Sequence, residues 1–121
     1  MRISYAPEAL ADLKGIHLYI TETLNNPQAA KNTLTIIKKN IGYIKTSPLL
    51  GSPIASFLPK HIKAEQLPAS LMCYRRLICN KYSVFYRIEN KIAFVDRVIH
   101  GSRDFINQLS GPSQGIMDSN E

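Results

Sequence analysis

The sequence predicts a small α+β domain in which an N-terminal helical hairpin packs on one face of an antiparallel sheet. Apolar residues recur at helical spacing through the first 45 residues. Three short runs rich in β-branched and aromatic residues then follow between residues 71 and 99. The predicted order of elements is β-α-α-β-β-β-α, ending in a short C-terminal helix. At 121 residues, the chain has room for one hydrophobic core.

Two amphipathic helices are predicted after a short strand over residues 2–5. Pro7 suits the first position of a helix, because its missing N–H would have no intrahelical partner there. An apolar stripe then runs to about residue 24 through Leu10, Leu13, Ile16, Ile20 and Leu24. Asn26 and Pro27 begin the second helix as N-cap and first residue. Its apolar seam consists of Ala30, Leu34, Ile37, Ile41 and Ile44. The short Asn-rich connection makes the two helices antiparallel neighbours.

Residues 48–70 carry no long regular element, because Gly51 and four prolines interrupt this segment. A short strand near residues 62–67 is the one expected exception. Loops of this length inside a compact domain are usually functional or mobile. Lys60, His61 and Lys63 give this loop its basic character.

The predicted sheet is built mainly from three runs, Leu71–Cys79, Tyr82–Ile88 and Ile92–Ile99. Asn80-Lys81 and Asn90-Lys91 separate them, and asparagine accepts the positive φ that two-residue hairpin turns need. We therefore expect an antiparallel meander. Ser102 is the predicted N-cap of a short helix that carries Phe105, Ile106 and Leu109. Residues 1–109 form the predicted domain, and residues 110–121 are expected to be a disordered tail.

Composition narrows the class of protein and of partner. The chain has 15 Lys and Arg against nine acidic residues, a net charge of +6, which favours a nucleic-acid, phosphate or acidic-protein partner. No apolar segment is long enough to span a bilayer or serve as a signal peptide, so a cytoplasmic location is expected. Cys73 and Cys79, placed in one predicted strand, would lie too far apart for a disulfide. The three histidines are scattered, so neither a metal site nor a cofactor is expected.

Three stretches together resemble the RelE/ParE superfamily of bacterial toxins. The first helix reads Ala9-Leu10-Ala11-Asp12-Leu13, followed by Ile16 and Tyr19-Ile20. The central hairpin reads Arg75-Arg76-Leu77 and then Tyr82-Ser83-Val84-Phe85-Tyr86-Arg87. The last strand leads into Arg97-Val98-Ile99-His100-Gly101-Ser102-Arg103-Asp104, which is close to the ParE-type signature. The resemblance spans residues 1–109.

The resemblance implies the toxin of a type II toxin–antitoxin pair, which stops growth when free and is neutralised by a cognate antitoxin. ParE-type members poison DNA gyrase, whereas RelE-type members cut mRNA in the ribosomal A site. The two long N-terminal helices and the segment from His100 to Asp104 favour the ParE type. No aromatic residue follows Phe105, although RelE-type enzymes generally carry one near the C-terminus. A decayed toxin that only binds its antitoxin is a third alternative.

The residues with a possible catalytic role are Arg75, His100 and Arg103, and only if the chain is of the RelE type. Arg75 would hold the scissile phosphate through its guanidinium. Arg103 would stabilise the charge of the transition state, and His100 would act as general acid. The alternatives are a surface ion pair between Arg103 and Asp104, and a histidine that simply ends a strand.

The residues with a possible role in binding nucleic acid or a partner are Lys60, Lys63, Arg87 and Arg97. The arginines lie on adjacent predicted strands with Arg75, so some of them share a sheet face if the register allows it. The alternative is an ordinary solvated face opposite the helices. For Tyr82, Phe85, Tyr86 and Phe94, core packing is favoured over stacking on bases.

The resemblance also implies how the antitoxin binds. The open edge and the exposed side of the sheet would be available to another chain. A basic toxin suits an acidic antitoxin segment that is partly disordered and becomes ordered on binding, forming a hetero-oligomer.

Overall fold

The computed structural model describes residues 1–101 and 105–109 and confirms the predicted α+β fold. The helical hairpin consists of α1 (Pro7–Leu18), which continues through a wider helical turn at Tyr19–Thr23, and α2 (Pro27–Gly42). The strands are β1 (Arg2–Tyr5), β2 (Ser52–Pro53), β3 (Arg75–Cys79), β4 (Tyr82–Glu89) and β5 (Ile92–His100). The described residues also contain two short α-helices, α3 (Ala69–Met72) and α4 over residues 105–109, and 3-10 turns at Tyr43–Lys45, Ile54–Phe57 and Ala64–Gln66. None of the described helices is long and apolar enough to cross a bilayer.

The helices begin where the sequence signals predict. Pro7 and Pro27 occupy first positions, and the Asn26 side chain accepts a hydrogen bond from the N–H of Ala29 at 3.1 Å. The seam of α2 is confirmed, since four of its five residues are fully buried. The apolar stripe predicted for the first helix is confirmed only in part. Leu10 and Leu24 are 54% and 55% exposed, because they lie beside rather than on the face that contacts the sheet.

The sheet has the order β1-β5-β4-β3-β2. The predicted antiparallel meander of β3, β4 and β5 is confirmed, and positive φ at Asn80, Asn90 and Lys91 closes its two hairpins. β1 instead pairs with β5 in parallel. A parallel partner requires a long crossover connection, and the intervening helices and strands provide it.

The main core lies between the helical hairpin and one face of the sheet. Ala9 and Leu13 of α1, together with Ile37, Ile41 and Ile44 from α2 and its following turn, meet this face. The sheet contributes Leu77, Cys79, Val84, Tyr86, Ala93, Val95 and Val98. The helical hairpin therefore covers the sheet as predicted.

The opposite face of the sheet is also covered, contrary to the expectation of an exposed side. Ile54, Phe85 and Phe105 form a second buried cluster, against which residues of the 54–74 segment and α4 pack. The rings of Phe85 and Phe105 stack with centroids 5.6 Å apart. The cover is needed because Phe85 is an apolar residue on this face and would otherwise be exposed.

Two predicted strand segments are wrong. Residues 62–67 contain a helical turn over Ala64–Gln66, in which the N–H of Lys63 donates to Oε1 of Gln66 at 2.8 Å. The strand predicted from Leu71 begins only at Arg75, because α3 follows Pro68 and occupies the first residues. Cys73 consequently lies outside the strand. It is exposed, whereas Cys79 is buried, and both are free thiols.

Candidate partner-binding surfaces

Arg75 lies at the start of β3 and holds the loop that precedes β2. Its Nε donates to the carbonyl oxygen of Gly51 at 2.7 Å, and its Nη2 contacts the carbonyl oxygen of Leu49 at 3.4 Å. Both contacts are made to backbone oxygens of the chain itself. The guanidinium that would bind a phosphate in the ribonuclease alternative is thus hydrogen-bonded to this loop.

Tyr86 holds the same loop from the centre of the sheet. Its hydroxyl accepts a hydrogen bond from the buried N–H of Gly51 and donates one to the carbonyl of Pro48, both at 2.8 Å. A Cβ at position 51 would lie 2.7 Å from the Tyr86 ring and 2.9 Å from the carbonyl oxygen of Arg76. Glycine is therefore required here by the close approach of the loop to the sheet.

Arg87 faces a polar cleft on the second face of the sheet. Its Nε contacts Asp96 at 3.0 Å, its Nη1 contacts Glu89 at 2.7 Å, and its guanidinium covers the ring of Phe94. Burial acts to lower the pKa of Arg87, but the hydrogen bond and charge of Asp96 outweigh it and raise that pKa. Arg87 is one of the three arginines that were predicted on adjacent strands, and its charge is balanced by carboxylates of the chain itself.

Asp96 also accepts a hydrogen bond from the hydroxyl of Tyr74. Burial and this contact with the carboxylate raise the pKa of Tyr74 above its ordinary range. A cavity of about 280 Å³ lies beside the cluster, between α4 and the start of α1. The cluster is a satisfied polar network, in which each charge has an opposite charge or a hydrogen-bond partner.

Arg97 lies next to a β-bulge between β4 and β5. Phe85 pairs with Arg97, but the next residue, Tyr86, pairs with Val95. Its guanidinium makes a two-point contact with Asp12 of α1, with Nε at 2.7 Å and Nη2 at 2.9 Å. A third hydrogen bond reaches the carbonyl of Gln108 in α4. The hydrogen bonds to Asp12 raise the pKa of Arg97. Arg97 thus ties α1 and α4 to the sheet.

The structure gives the predicted binding residues two different surroundings. Arg87 and Arg97 are each paired with carboxylates, and Lys60 and Lys63 are exposed on the loop that follows β2. The four aromatic residues are confirmed as packing residues. Phe85 and Tyr86 are fully buried, Phe94 supports Arg87, and Tyr82 packs against the core.

His100 is exposed at the end of β5, with its ring edge-on to Tyr82 at a centroid distance of 5.5 Å. Arg75 and His100 lie at opposite ends of the sheet. Tyr82 pairs with both Cys79 and His100, and Arg75 is four residues further along β3. At about 3.4 Å per residue and 4.8 Å per strand, the two residues are roughly 16 Å apart. Arg103, the third proposed catalytic residue, lies outside the described residues, as do Ser102 and Asp104.

Arg76 was not predicted from the sequence as a site residue. Its guanidinium carbon lies 3.8 Å from the centroid of the Phe57 ring, and its buried Nε has no hydrogen-bond partner among the described residues. Burial lowers the pKa of Arg76. The only sequence signal for it was its place next to Arg75.

A groove that was not predicted from the sequence lies between α1 and α2, on the outside of the hairpin. Its volume is about 570 Å³. Leu10, Leu13, Leu18 and Leu34 supply its apolar surface. The exposure of Leu10 could not be read from spacing alone, because a residue next to the core stripe follows the same helical period.

Comparison with known proteins agrees with the fold. A family model described as the ParE toxin of the type II toxin–antitoxin system parDE matches residues 3–105. No curated protein matches the chain. A solved structure titled as the chromosomal ParDE TA system from P. aeruginosa superposes with a TM-score of 0.63 at 18% sequence identity. The match covers 84% of this chain and 96% of that chain.

Proposed function

The chain belongs to the ParE toxin family of type II toxin–antitoxin systems, and from this we propose that it poisons DNA gyrase. In this proposal, the toxin binds gyrase and traps its DNA without chemistry of its own. A cognate antitoxin binds the free toxin and neutralises it. Because gyrase acts on DNA in the cytoplasm, the proposal also places the toxin there.

The observation that supports a binding mechanism is the placement of Arg75 and His100. A ribonuclease needs its phosphate ligand and its general acid at one scissile bond, within hydrogen-bond reach of the reacting atoms. Here Arg75 is held to the carbonyl of Gly51, and His100 lies at the other end of the sheet. A toxin that acts through contact surface does not need these two side chains to meet.

We expect purified toxin to inhibit gyrase supercoiling and to leave translated mRNA uncut. We expect His100→Ala to retain most of that inhibition, because loss of one exposed side chain changes binding little. Loss of a catalytic contact typically lowers a rate about 10²–10³-fold. His61→Ala provides a matched control, since His61 is also exposed but lies outside β5.

The reverse result would contradict the gyrase proposal. Cleavage of mRNA in the ribosomal A site that is abolished by His100→Ala or Arg103→Ala would establish the ribonuclease alternative. Growth experiments test the toxin itself. Induction of the chain alone should stop bacterial growth, and co-expression of the antitoxin from the adjacent gene should restore it. Normal growth when the chain is expressed alone and is confirmed to be soluble would indicate a decayed toxin, provided that the purified chain still binds the antitoxin.

A further inference from the structure

The loop over residues 48–51, which joins the turn after α2 to β2, holds two leucines in solvent on a fixed backbone. Leu49 is 72% and Leu50 is 46% exposed. Tyr86 and Arg75 together make four hydrogen bonds to the backbone of this loop, at 2.7 to 3.4 Å. The backbone would therefore lose little conformational freedom if the leucines bound a partner.

The 48–51 loop lies within the most basic part of the sequence. Residues 23–64 contain six lysines, no arginine and no aspartate or glutamate, so this segment carries six positive charges and no negative one. The six are Lys31, Lys38, Lys39, Lys45, Lys60 and Lys63. None of them forms an ion pair with a residue that the structure describes. Uncompensated charge of this kind attracts a polyanion.

Two cations flank the leucines directly. Lys45 is exposed four residues before Leu49, and two successive turns, closed by hydrogen bonds to the carbonyl oxygens of Tyr43 and Ser47, keep it near the loop. Arg75 contacts the loop backbone through two N–H groups. A guanidinium has five such donors, so others remain for a phosphate. The 48–51 loop thus combines an apolar tip with cations beside it.

We propose that the 48–51 loop binds double-stranded DNA, with Leu49 inserted at a base step and with Lys45 and Arg75 on the adjacent phosphates. Proteins that kink DNA insert apolar side chains such as leucine between base pairs, while basic residues around them contact the backbone. The DNA contact deepens the proposed function and rests on it for its setting, because the ligand would be the DNA trapped on gyrase. The contact itself requires only the toxin and a duplex.

Charge and the small apolar area favour DNA over another protein. A stable protein interface buries about 800 Å² on each partner, and two leucines cover only a fraction of that area. Their neighbours Thr46, Ser47 and Ser52 are exposed polar residues, which can donate hydrogen bonds to phosphates. A second copy of the chain would bring two basic segments together, and like charges across an interface oppose association.

The test measures binding of purified toxin to a short duplex that carries 2-aminopurine at a flexible TA step. The fluorescence of this base rises when it unstacks, so wild type should raise it. Lys45→Gln should weaken binding and lower the slope of log affinity against log salt concentration by about one. Leu49→Ser should keep the salt slope but lose most of the fluorescence rise at saturating protein.

Leu24→Ser and Lys81→Gln are the matched controls. Leu24 is 55% exposed and lies at the other end of α2, about 24 Å away for 16 residues at about 1.5 Å per residue. Lys81 is exposed in the turn at the far end of β3 from Arg75. Both controls should bind and unstack the duplex as wild type does. Unchanged thermal unfolding of Leu49→Ser would show that its effect is local to the loop.

A wild-type protein that does not unstack the duplex, or a rise that persists in Leu49→Ser, would overturn the proposed DNA contact. Gyrase assays provide the second arm. Leu49→Ser should bind DNA-free gyrase as tightly as wild type but trap less cleaved DNA. If it loses DNA-free gyrase instead, the loop contacts protein and the DNA contact is wrong. If wild type unstacks the duplex through Leu49 but does not inhibit gyrase, the DNA contact stands and the gyrase proposal fails.

Discussion

Replacing Tyr86 with phenylalanine removes a single hydroxyl from a side chain that is fully buried in the centre of the sheet. That hydroxyl accepts from the N–H of Gly51 and donates to the carbonyl of Pro48, both at 2.8 Å. The ring of phenylalanine fills the same volume, so apolar packing changes little. The substitution therefore isolates the two hydrogen bonds that hold the loop before β2.

The expected cost follows from what each partner loses. The N–H of Gly51 is buried, and leaving such a donor unsatisfied costs about 1–3 kcal/mol. The bond to Pro48 is only partly buried and contributes roughly 0.5–1.5 kcal/mol. Together we expect a loss of about 2–4 kcal/mol in the free energy of unfolding. For 121 residues, about 1 kcal/mol corresponds to roughly 4 °C, so Tm should fall by about 8–16 °C.

Urea denaturation followed by circular dichroism measures this difference, with the slope of the transition expected to stay unchanged. Tyr43→Phe provides the control, because Tyr43 is 48% exposed and should tolerate the change within about 0.5 kcal/mol. A loss below about 0.5 kcal/mol in Tyr86→Phe would show that water or another donor replaces the hydroxyl. Tyr86 would then not be the anchor of the loop.

Two further predictions concern stability. Ile37 is 1% exposed in the core under the helical hairpin. Ile37→Ala should therefore lower the free energy of unfolding, measured by chemical denaturation, by roughly 2–5 kcal/mol. A loss below about 0.5 kcal/mol would mean that the apolar seam of α2 faces solvent. The pKa of Tyr74 is raised above 10.0 in the folded state by burial and by Asp96, so the folded protein retains that proton longer than the unfolded chain. The stability contributed by the protonated phenol is full below about pH 10 and falls above it. Unfolding at pH 8 and pH 11 should therefore show a smaller loss with pH for Tyr74→Phe than for wild type, and equal losses would refute the role of Tyr74.

The family could be predicted from the sequence, whereas the contacts of single residues could not. The resemblance anticipated the family, because its motifs are spread over the whole domain. They lie in the first helix around Ala9–Leu13, in the central hairpin, and in the segment Arg97–Asp104. The roles assigned to single residues were harder to anticipate. Arg97 was a candidate for binding nucleic acid or a partner, and in the structure it contacts Asp12, which is 85 residues away in sequence. A contact of that kind depends on how α1 crosses the sheet, and no local pattern encodes it.

The elements whose signals are local could be predicted from the sequence alone. Pro7, Asn26 and Pro27 place the starts of two helices, the α2 seam marks its buried face, and asparagines permit both hairpin turns. These signals act within a few residues, through capping, helical period and positive φ, so they can be read without knowing the rest of the chain.

Tertiary packing sets the features that depend on distant partners. It paired β1 in parallel with β5, covered the second face with the 54–74 segment and α4, and turned the residues before Arg75 into a helix. It also left Leu10 in solvent, while Leu13 on the same helix is buried. The physical reason is that the helical period identifies an apolar side of α1, but the width of the sheet sets how much of that side is covered.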